Sequence, residues 1–332
     1  MAQQDFALWL AWRAVRGLGV EAGELVLVRD QAGHDAVLRE VAAAIAEAGA
    51  TPLVEIATPN WLARALAHAP REALLHFDRH RRAWLEQCHR VLTLDGGTLD
   101  AVHADPERMA LWNAAQARLL AVEESRAIPH LVVAVPTPEK AEQLGWSLET
   151  LESHLLDAQH ATLFELERPM DRLLLKAGEA HHILLRAAEG DALHITRSEK
   201  SWRRNDGYID PEDVAQGNVI ATLPAGTIET LLAPEQAHGT ITVPGLGTLR
   251  FDEGQVVQVL EGANEHAESC LGAVLRALRI GLNPTLRQPL GWTWVDQLIH
   301  GTVTLDFGDH ALGEITLHNV ALWLGDWQAF GG

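Results

Sequence analysis

The chain is poor in positive charge and in cysteine. Its 332 residues include 26 Lys and Arg against 45 Asp and Glu, which gives a formal net charge of −19 at pH 7. Because a nucleic-acid backbone is bound by clustered Lys and Arg, this deficit argues against a nucleic-acid partner. The two cysteines, Cys88 and Cys270, have no metal-type spacing, so we expect buried thiols in a reducing compartment.

Long apolar runs are also missing. No run reaches the ~18 residues that a membrane-spanning helix requires, although 47% of the residues are apolar. Residues 6–12 form an apolar stretch with no basic leader before it and no small-residue cleavage site after it. We therefore predict an amphipathic first helix over residues 1–20, no membrane partner and a cytoplasmic location.

Motifs for cofactor binding and for covalent catalysis are missing too. The loop after the first predicted strand, residues 30–34, lacks the G-x-G-x-x-G pattern that brings a pyrophosphate close to a helix start. No serine lies in a G-x-S-x-G turn, and neither cysteine has neighbours that would activate a thiol. We therefore predict that the protein carries no cofactor.

The order of the periodic segments predicts two domains. Strand-like runs alternate with helical segments up to residue 188, which indicates a parallel sheet with helices on both faces. Later runs are short, β-type and interrupted by Gly, Pro and Asn, apart from one helical segment at residues 265–280. We predict an α/β fold: a doubly wound parallel-sheet domain with a helical extension (residues 1–188) and a mostly β domain with an embedded helix (residues 189–332).

Four motifs in the last third of the chain carry a family resemblance. They are Leu223-Pro224-Ala225-Gly226-Thr227-Ile228, Ile280-Gly281-Leu282-Asn283-Pro284, Gly301-Thr302-Val303-Thr304-Leu305 and Ile315-Thr316-Leu317-His318. Together they resemble the thermophilic metallo-aminopeptidase (aminopeptidase T and leucyl aminopeptidase) family. That family holds two divalent metal ions with two Glu, two His and one Asp.

The resemblance implies that most metal ligands have been lost here. The matching positions in this chain are Thr227, Ala277, Thr304, His318 and Val320, and a tyrosine of the family corresponds to Ala311. A divalent ion at a catalytic site needs three or more ionised or imidazole ligands, whereas alanine and valine offer none. The sequence therefore predicts a metal-free relative that no longer hydrolyses peptides.

A rebuilt metal site is the alternative. Two extra residues after Gly226 allow Glu229 to take the place of the first glutamate, and Asp306 shares a strand face with Thr304. With His318 these two carboxylates would form a mononuclear site. His300, Asp309 and His310 lie near in sequence. Such a site would give the same fold altered chemistry, either oxygenase-like, since the resembled fold also hosts a non-haem iron oxygenase of dihydroxypyridines, or residual aminopeptidase activity.

The first hypothesis is instead a binding protein. The resemblance implies a homodimer and a cleft that accepts a free peptide end, here lined by Thr227, Glu229, Thr304 and His318. A cleft without metal would hold a peptide or protein partner without cutting it. A pathway that modifies peptides, as in natural-product biosynthesis, would use such a carrier.

Two further groups of side chains are binding candidates. The chain has 11 Trp and a single tyrosine, Tyr208, and Trp292, Trp294 and Trp323 crowd near its end. They form either core packing or an aromatic wall of a cleft. The adjacent Arg203 and Arg204 would either hold a carboxylate or balance the nearby charges of residues 206, 210 and 212.

Overall fold

The structure is a computed structural model of the chain. The residues that it describes are 3–97, 102, 104–161, 163–187, 190–196, 202–232, 236–260, 268–308 and 312–331. The chain forms two compact units. Unit 1 comprises Met1–Gln159 and Gly207–Pro224, and unit 2 comprises His160–Asp206 and Ala225–Gly332.

The described helices and strands occupy the following residues. The helices are α1 (Gln3–Gly17), α2 (Asp35–Glu47), α3 (Pro59–His68), α4 (Arg71–Leu75), α5 (Arg79–Gln87), α6 (Pro106–Ser125), α7 (Pro138–Leu144), α8 (Leu148–Gln159), α9 (Leu163–Glu179), α10 (Pro211–Ala215) and α11 (Thr293–Asp296). The strands are β1 (Leu25–Asp30), β2 (Thr51–Ile56), β3 (Arg90–Asp95), β4 (His130–Ala134), β5 (His182–Arg186), β6 (Ala192–Thr196), β7 (Arg203–Asn205), β8 (Ile220–Leu223), β9 (Thr227–Leu231), β10 (Ala237–Val243), β11 (Gly247–Asp252), β12 (Gln255–Leu260), β13 (Ala277–Gly281), β14 (Val303–Asp306), β15 (Glu314–Leu317), β16 (Ala321–Leu324) and β17 (Trp327–Phe330). None of these described helices is long and apolar enough to cross a membrane.

Unit 1 is built on a parallel sheet of five strands in the order β2-β1-β3-β4-β8. Its central strands are apolar on both faces, as expected for a sheet that is covered on both sides. Leu27 and Val91 pack against Leu85 of α5 and Leu119 of α6, and Val26, which points to the other face, is fully buried too. The predicted doubly wound parallel sheet is therefore confirmed.

A network of charged side chains lies buried between this sheet and helices α5 and α6. Arg29 of β1 donates to Glu55 of β2 at 3.2 Å and to Glu123 of α6 at 2.8 Å. Arg81 of α5 also donates to Glu55, and His130 Nδ1 lies 3.3 Å from the second oxygen of Glu123. Burial alone would raise the pKa of Glu123, but the hydrogen bond with His130 and the charge of Arg29 lower it to about 2.

The thiols are buried, as the sequence predicts. Cys88 lies in the core cluster beneath α5 and α6, and Cys270 is buried in unit 2. Burial raises the pKa of the Cys88 thiol to about 11. Since the thiolate is the reactive form, Cys88 is inert near neutral pH.

Unit 2 contains two antiparallel sheets. The larger has seven strands in the order β12-β11-β10-β6-β5-β16-β17, and the smaller has five in the order β15-β14-β13-β9-β7. Phe251 of β11 stacks on Phe307, which follows β14, with 6.2 Å between the ring centroids. Helix α9 contacts β9 of the smaller sheet. The mostly β character predicted for the later part of the chain is confirmed.

The long helix predicted at residues 265–280 is wrong in the described part of that segment. Residues 268–270 form a short 3₁₀ turn and residues 277–281 form β13, while residues 265–267 lie outside the described residues. Strand β13 lies between β9 and β14, so its backbone is paired on both sides, and Leu278 and Ile280 are buried on one face. This pairing overrides the helix propensity of Ala, Leu and Arg. The long helix of unit 2 is α9 instead.

The chain is not divided between the two units at a single position after residue 188. Helix α9 and strand β5 precede that position and belong to unit 2. Gly207–Pro224, which contains α10 and β8, returns to unit 1 and completes the parallel sheet. The shift in composition near residue 190 therefore falls inside unit 2.

The buried charge network yields a stability prediction. Replacing Glu123 with Gln leaves Arg29 and His130 without their shared partner, so we expect a loss of roughly 3–5 kcal/mol in the free energy of unfolding at pH 7. The folded pKa of Glu123 lies below the unfolded value of about 4.3. The stabilisation by the carboxylate is therefore present above that value and is lost as the pH falls towards 2. Urea denaturation at pH 7 and at pH 3 measures both effects.

The matched control is Glu124→Gln, the exposed neighbour on the same helix. It should change the free energy of unfolding by less than about 0.5 kcal/mol. Equal losses in the two variants, or a Glu123→Gln deficit that does not shrink at pH 3, would contradict the role assigned to the network.

Candidate functional site

Three of the five positions matched to the metal ligands, Thr227, Ala277 and Thr304, lie on one face of the five-stranded sheet of unit 2. Thr227 and Glu229 are alternate residues of β9, and Glu229 pairs directly with Arg279 of β13. Arg279 in turn pairs with Thr304 of β14, and two residues along, Ala277 pairs with Asp306. Directly paired residues and residues two apart share a face in an antiparallel sheet. We call this surface the ligand face.

The opposite face of the same strands is apolar and buried, and this alternation fixes the orientation of the ligand face. Ile228, Leu278, Ile280, Val303 and Leu305 are each 0% exposed. A register slip by one residue would move them all to the other face and expose them, so the sheet is strongly held in its register. The polar residues of the ligand face are therefore placed by the burial of their neighbours.

A single guanidinium lies at the centre of the ligand face. Arg279 Nε donates to Glu229 of β9, Nη1 donates to Glu314 of β15, and Nη2 donates to Asp306 of β14 at 2.8 Å. Three strands thus supply one carboxylate each to the arginine of a fourth. We call this set the Arg279 cluster.

The Arg279 cluster is partly shielded from solvent and is supported by further hydrogen bonds. The Arg279 side chain is 21% exposed. Its burial alone would lower the pKa, but the charges of Glu229 and Glu314 and their hydrogen bonds raise it above the ordinary arginine value. The second oxygen of Glu314 accepts from Gln297 Nε2, and the second oxygen of Asp306 accepts from the Gly308 amide at 2.7 Å.

Four of the five positions matched to the family's ligands are buried. Thr304 is 0% exposed, and its hydroxyl is 3.0 Å from that of Thr316 on β15. Thr227, Ala277 and Val320 are buried as well. His318 follows the end of β15 and is exposed. Ala311 and its neighbours Asp309 and His310 lie outside the described residues.

The metal ions of the family do not fit these residues. Within the described ranges, no group of three or more His, Cys, Asp or Glu side chains is arranged to hold an ion. Glu229 and Asp306, two of the three residues of the alternative mononuclear site, both bind the Arg279 guanidinium. The cation that the carboxylates of this face contact is therefore a side chain of the protein itself.

The aromatic candidates do not form one wall. Trp292 and Trp294 contact each other edge to face, with 6.0 Å between their centroids, and Trp292 is only 2% exposed. Trp323 belongs to β16, a strand of the seven-stranded sheet. The half-buried indole of Trp327 on β17 receives the Arg172 guanidinium at 5.6 Å from its centroid. For Trp292 the structure favours core packing.

The two adjacent arginines of β7 point to opposite faces. Arg203 pairs with Glu229 and so shares the ligand face, whereas Arg204 pairs with Ile228. Arg204 makes an ion pair with Asp206 at 3.2 Å and lies 4.0 Å from Asp171. Because neighbouring strand residues diverge, the two guanidinium groups do not converge on one carboxylate. Arg204 takes part in local charge balance.

Sequence reasoning missed the residues at the centre of the site. Arg279 was not identified because residues 265–280 were predicted to be a helix, in which it would not face the other strands. Without Arg279, nothing in the sequence marked Glu314 and Gln297 as members of the site. With β13 as a strand, a signal is visible: the same-face positions of the neighbouring strands carry Glu229 and Asp306, and each is acidic. An arginine whose neighbours on the same face of the adjacent strands are acidic predicts an ion-pair cluster.

The motifs that carry the family resemblance meet at the ends of β9 and β13. The buried Asn283 donates to the Ala225 carbonyl at 2.7 Å, and its side-chain oxygen accepts from the Thr285 and Leu286 amides. Gly226 has φ +126°, and a Cβ there would lie 2.9 Å from the Asn283 backbone nitrogen, so glycine is required. These two motifs therefore hold the ends of β9 and β13 in place.

A cavity of about 770 Å³ lies in unit 1, where the loops after β1, β2 and β4 converge. The carboxyl ends of parallel strands are the usual ligand sites of such sheets. The charged or titratable side chains in its described lining are His34 and Glu139, and neither marks a particular chemistry. The functional argument therefore rests on unit 2.

Similarity to known proteins shows which family the chain belongs to. The parallel sheet of unit 1 and the two antiparallel sheets of unit 2 make this a mixed α/β protein. The sequence matches the model of the thermophilic metalloprotease family M29 over residues 7–194. The chain belongs to this family. The matched residues end before β9, so they do not include the ligand face.

Two solved structures share the fold over nearly the whole chain. Wild-type AmpT from Thermus thermophilus is 16% identical, with a TM-score of 0.67, and the match covers 97% of this chain and 95% of that one. The 2,5-dihydroxypyridine dioxygenase from Pseudomonas putida KT2440 is 12% identical, with a TM-score of 0.63 and coverages of 99% and 96%. At these identities the similarity shows the fold alone. No curated protein matches the sequence.

The framework role of Asn283 can be tested directly. Replacing Asn283 with Ala leaves the Ala225 carbonyl and the Leu286 amide without their partner in a buried setting, so we expect a loss of roughly 2–4 kcal/mol in the free energy of unfolding. Gln258→Ala, at an exposed position of β12, is the control and should cost less than about 0.5 kcal/mol. Thermal and urea denaturation measure both. A near-neutral Asn283 variant would contradict the framework role assigned to these motifs.

Proposed function

We propose that this member of family M29 is a non-hydrolytic, metal-free protein that binds a peptide or protein partner on the ligand face. The observation that carries the proposal is the Arg279 cluster. Peptide hydrolysis in a metallopeptidase needs a metal ion to activate water and polarise the carbonyl. Here a guanidinium contacts the three carboxylates of the Arg279 cluster, and of the five matched positions only His318 carries a usual metal ligand.

The charge of the ligand face supports a partner with a positive end. On this face Glu229, Asp306 and Glu314 carry three negative charges against the two positive charges of Arg279 and Arg203, which leaves a net charge of −1. The cluster is also partly open, since the Glu229 side chain is 24% exposed and that of Glu314 is 33% exposed. A half-buried negative charge attracts cations more strongly than a fully solvated one. The free amino terminus of a peptide fits this requirement.

The context of the proposal follows from its chemistry. A protein that holds an amino terminus without cutting the peptide suits a pathway in which a precursor peptide is modified by other enzymes. The homodimer that the family implies and a cytoplasmic location, where the buried thiols stay reduced, are part of the same proposal. No described contact favours the mononuclear oxygenase-like alternative, because both of its carboxylates bind Arg279.

Metal content and hydrolysis test the first half of the proposal. Elemental analysis of the purified protein and calorimetric titration with zinc, cobalt, manganese and anaerobic ferrous iron should show no stoichiometric binding. Aminoacyl-nitroanilide hydrolysis should stay at background with each metal present. Stoichiometric binding that His318→Ala abolishes, or metal-dependent hydrolysis, would refute the proposal.

Peptide binding tests the second half. A peptide library with free amino termini should bind more tightly than the same library after amino-terminal acetylation, by roughly fivefold, because acetylation removes the positive charge. Glu229→Gln should weaken the free library by a similar factor and leave the acetylated one unchanged. Glu212→Gln, an exposed change in α10 of unit 1, is the control. No binding at micromolar protein, or equal affinity for both libraries, would contradict a site for peptide ends.

A further inference from the structure

The ligand face carries one arginine whose side chain is left for a ligand. Arg203 of β7 is exposed and pairs directly with Glu229 of β9, so both side chains lie on this face. Among the described residues, the Arg203 side chain makes no hydrogen bond or ion pair. We infer that Arg203 binds a carboxylate of the ligand, so that the bound peptide carries an acidic side chain at its first or second residue. The inference rests on the proposed function, because it names a property of the peptide that is held there.

The carboxylate opposite Arg203 also keeps one oxygen for a ligand. Glu229 Oε2 accepts from Arg279 Nε, whereas no described residue donates to Glu229 Oε1. In the other two carboxylates of the Arg279 cluster, both oxygens already accept hydrogen bonds. The Glu229 side chain is 24% exposed, so a ligand can reach it. Glu229 Oε1 is therefore the acceptor to which the ammonium group of a peptide would donate.

A donor and an acceptor thus lie side by side on neighbouring strands. Side chains at directly opposite positions of an antiparallel pair have their Cβ atoms about 4.5–5.5 Å apart. Arg203 and Glu229 are near enough for an ion pair, yet the Glu229 carboxylate binds Arg279, on the strand at its other side. A ligand that carries an ammonium group and a carboxylate at a similar spacing would satisfy both side chains. The amino group of a peptide and an acidic side chain on its first or second residue have such a spacing.

The strand order gives the bound peptide a direction. Strand β7 is at the edge of the five-stranded sheet, and the strands that carry the Arg279 cluster lie further in. A peptide with its amino group at Glu229 and an acidic side chain at Arg203 therefore has its first residue over the interior strands. The rest of the peptide leaves across the edge strand.

Charge balance favours a ligand with both signs over a ligand with a positive end alone. The whole chain has a net charge of −19, so a purely acidic ligand would be repelled. A purely cationic ligand would leave Arg203 without a counter-charge. A peptide end with one ammonium and one carboxylate adds no net charge and pairs with both Glu229 and Arg203. Arginine suits the carboxylate because its planar fork donates two parallel hydrogen bonds.

The test uses four hexapeptides with a free amino terminus and an amidated carboxyl terminus. Each consists of alanine apart from one Asp or one Asn, at the first or at the second position, and its binding to the full chain is measured by titration calorimetry at pH 7. At one of the two positions the Asp peptide should bind roughly fivefold more tightly than its Asn counterpart, as expected for a partly exposed charge pair. Arg203→Gln should remove this preference, and Arg203→Glu should reverse it.

Acetylation of the same peptides separates the contact at Arg203 from the contact at Glu229. Arg203→Gln should leave the loss of affinity on acetylation unchanged. Glu229→Gln should remove most of that loss and keep the preference for Asp over Asn. Arg250→Gln changes an exposed arginine of β11 in the same unit, and this control should bind all the peptides as the wild-type protein does.

The outcomes separate this inference from the proposed function. If peptides bind through their free amino terminus but the Asp and Asn peptides have equal affinity at both positions, or if the preference survives Arg203→Gln, the role of Arg203 is refuted while the proposed function stands. If free aspartate binds as tightly as the Asp peptides and depends equally on Arg203 and Glu229, the contact at Arg203 is confirmed but the proposed peptide-binding function fails. If no peptide binds, both fail.

Discussion

The bonds between Arg279 and three carboxylates are the interaction on which the rest of the site depends. Strands β9, β14 and β15 each bring an acidic side chain to the same face of one sheet, where such charges repel each other. In a metalloenzyme, divalent ions would remove that repulsion. Here the Arg279 guanidinium on β13 removes it. The charge balance of this face therefore depends on one arginine.

The retained and the lost residues of the family resemblance have different physical tasks. Asn283 and Gly226 hold the ends of β9 and β13 together through buried hydrogen bonds and a close backbone contact. Those tasks do not involve metal, and losing them would cost stability. Thr227, Ala277 and Thr304, which the resemblance matches to metal ligands, are buried among their neighbours. The frame of the sheet and the polar surface of the ligand face therefore depend on different atoms.

The sequence predicted the sheet-and-helix order of unit 1 well because its signals are local. Strand runs and the apolar periodicity of α2 depend on neighbouring residues. The ligand-face positions Thr227, Ala277 and Thr304 could also be placed through short motifs. Arg279 could not, because its segment has the composition of a helix and becomes a strand only through pairing with β9 and β14, which are about 50 and 25 residues away. The return of residues 207–224 to unit 1 was missed for the same reason, since β8 completes its sheet beside a strand far away in sequence.

The central claim is the proposal that the Arg279 guanidinium, and not a metal ion, balances the carboxylates of the ligand face. A crystal structure of the wild-type protein grown with millimolar Mn²⁺, measured at a wavelength where manganese scatters anomalously, tests it most directly. The account predicts no anomalous peak on the ligand face and Arg279 bonded to Glu229, Asp306 and Glu314. An anomalous peak among these carboxylates, with the arginine turned away, would contradict it.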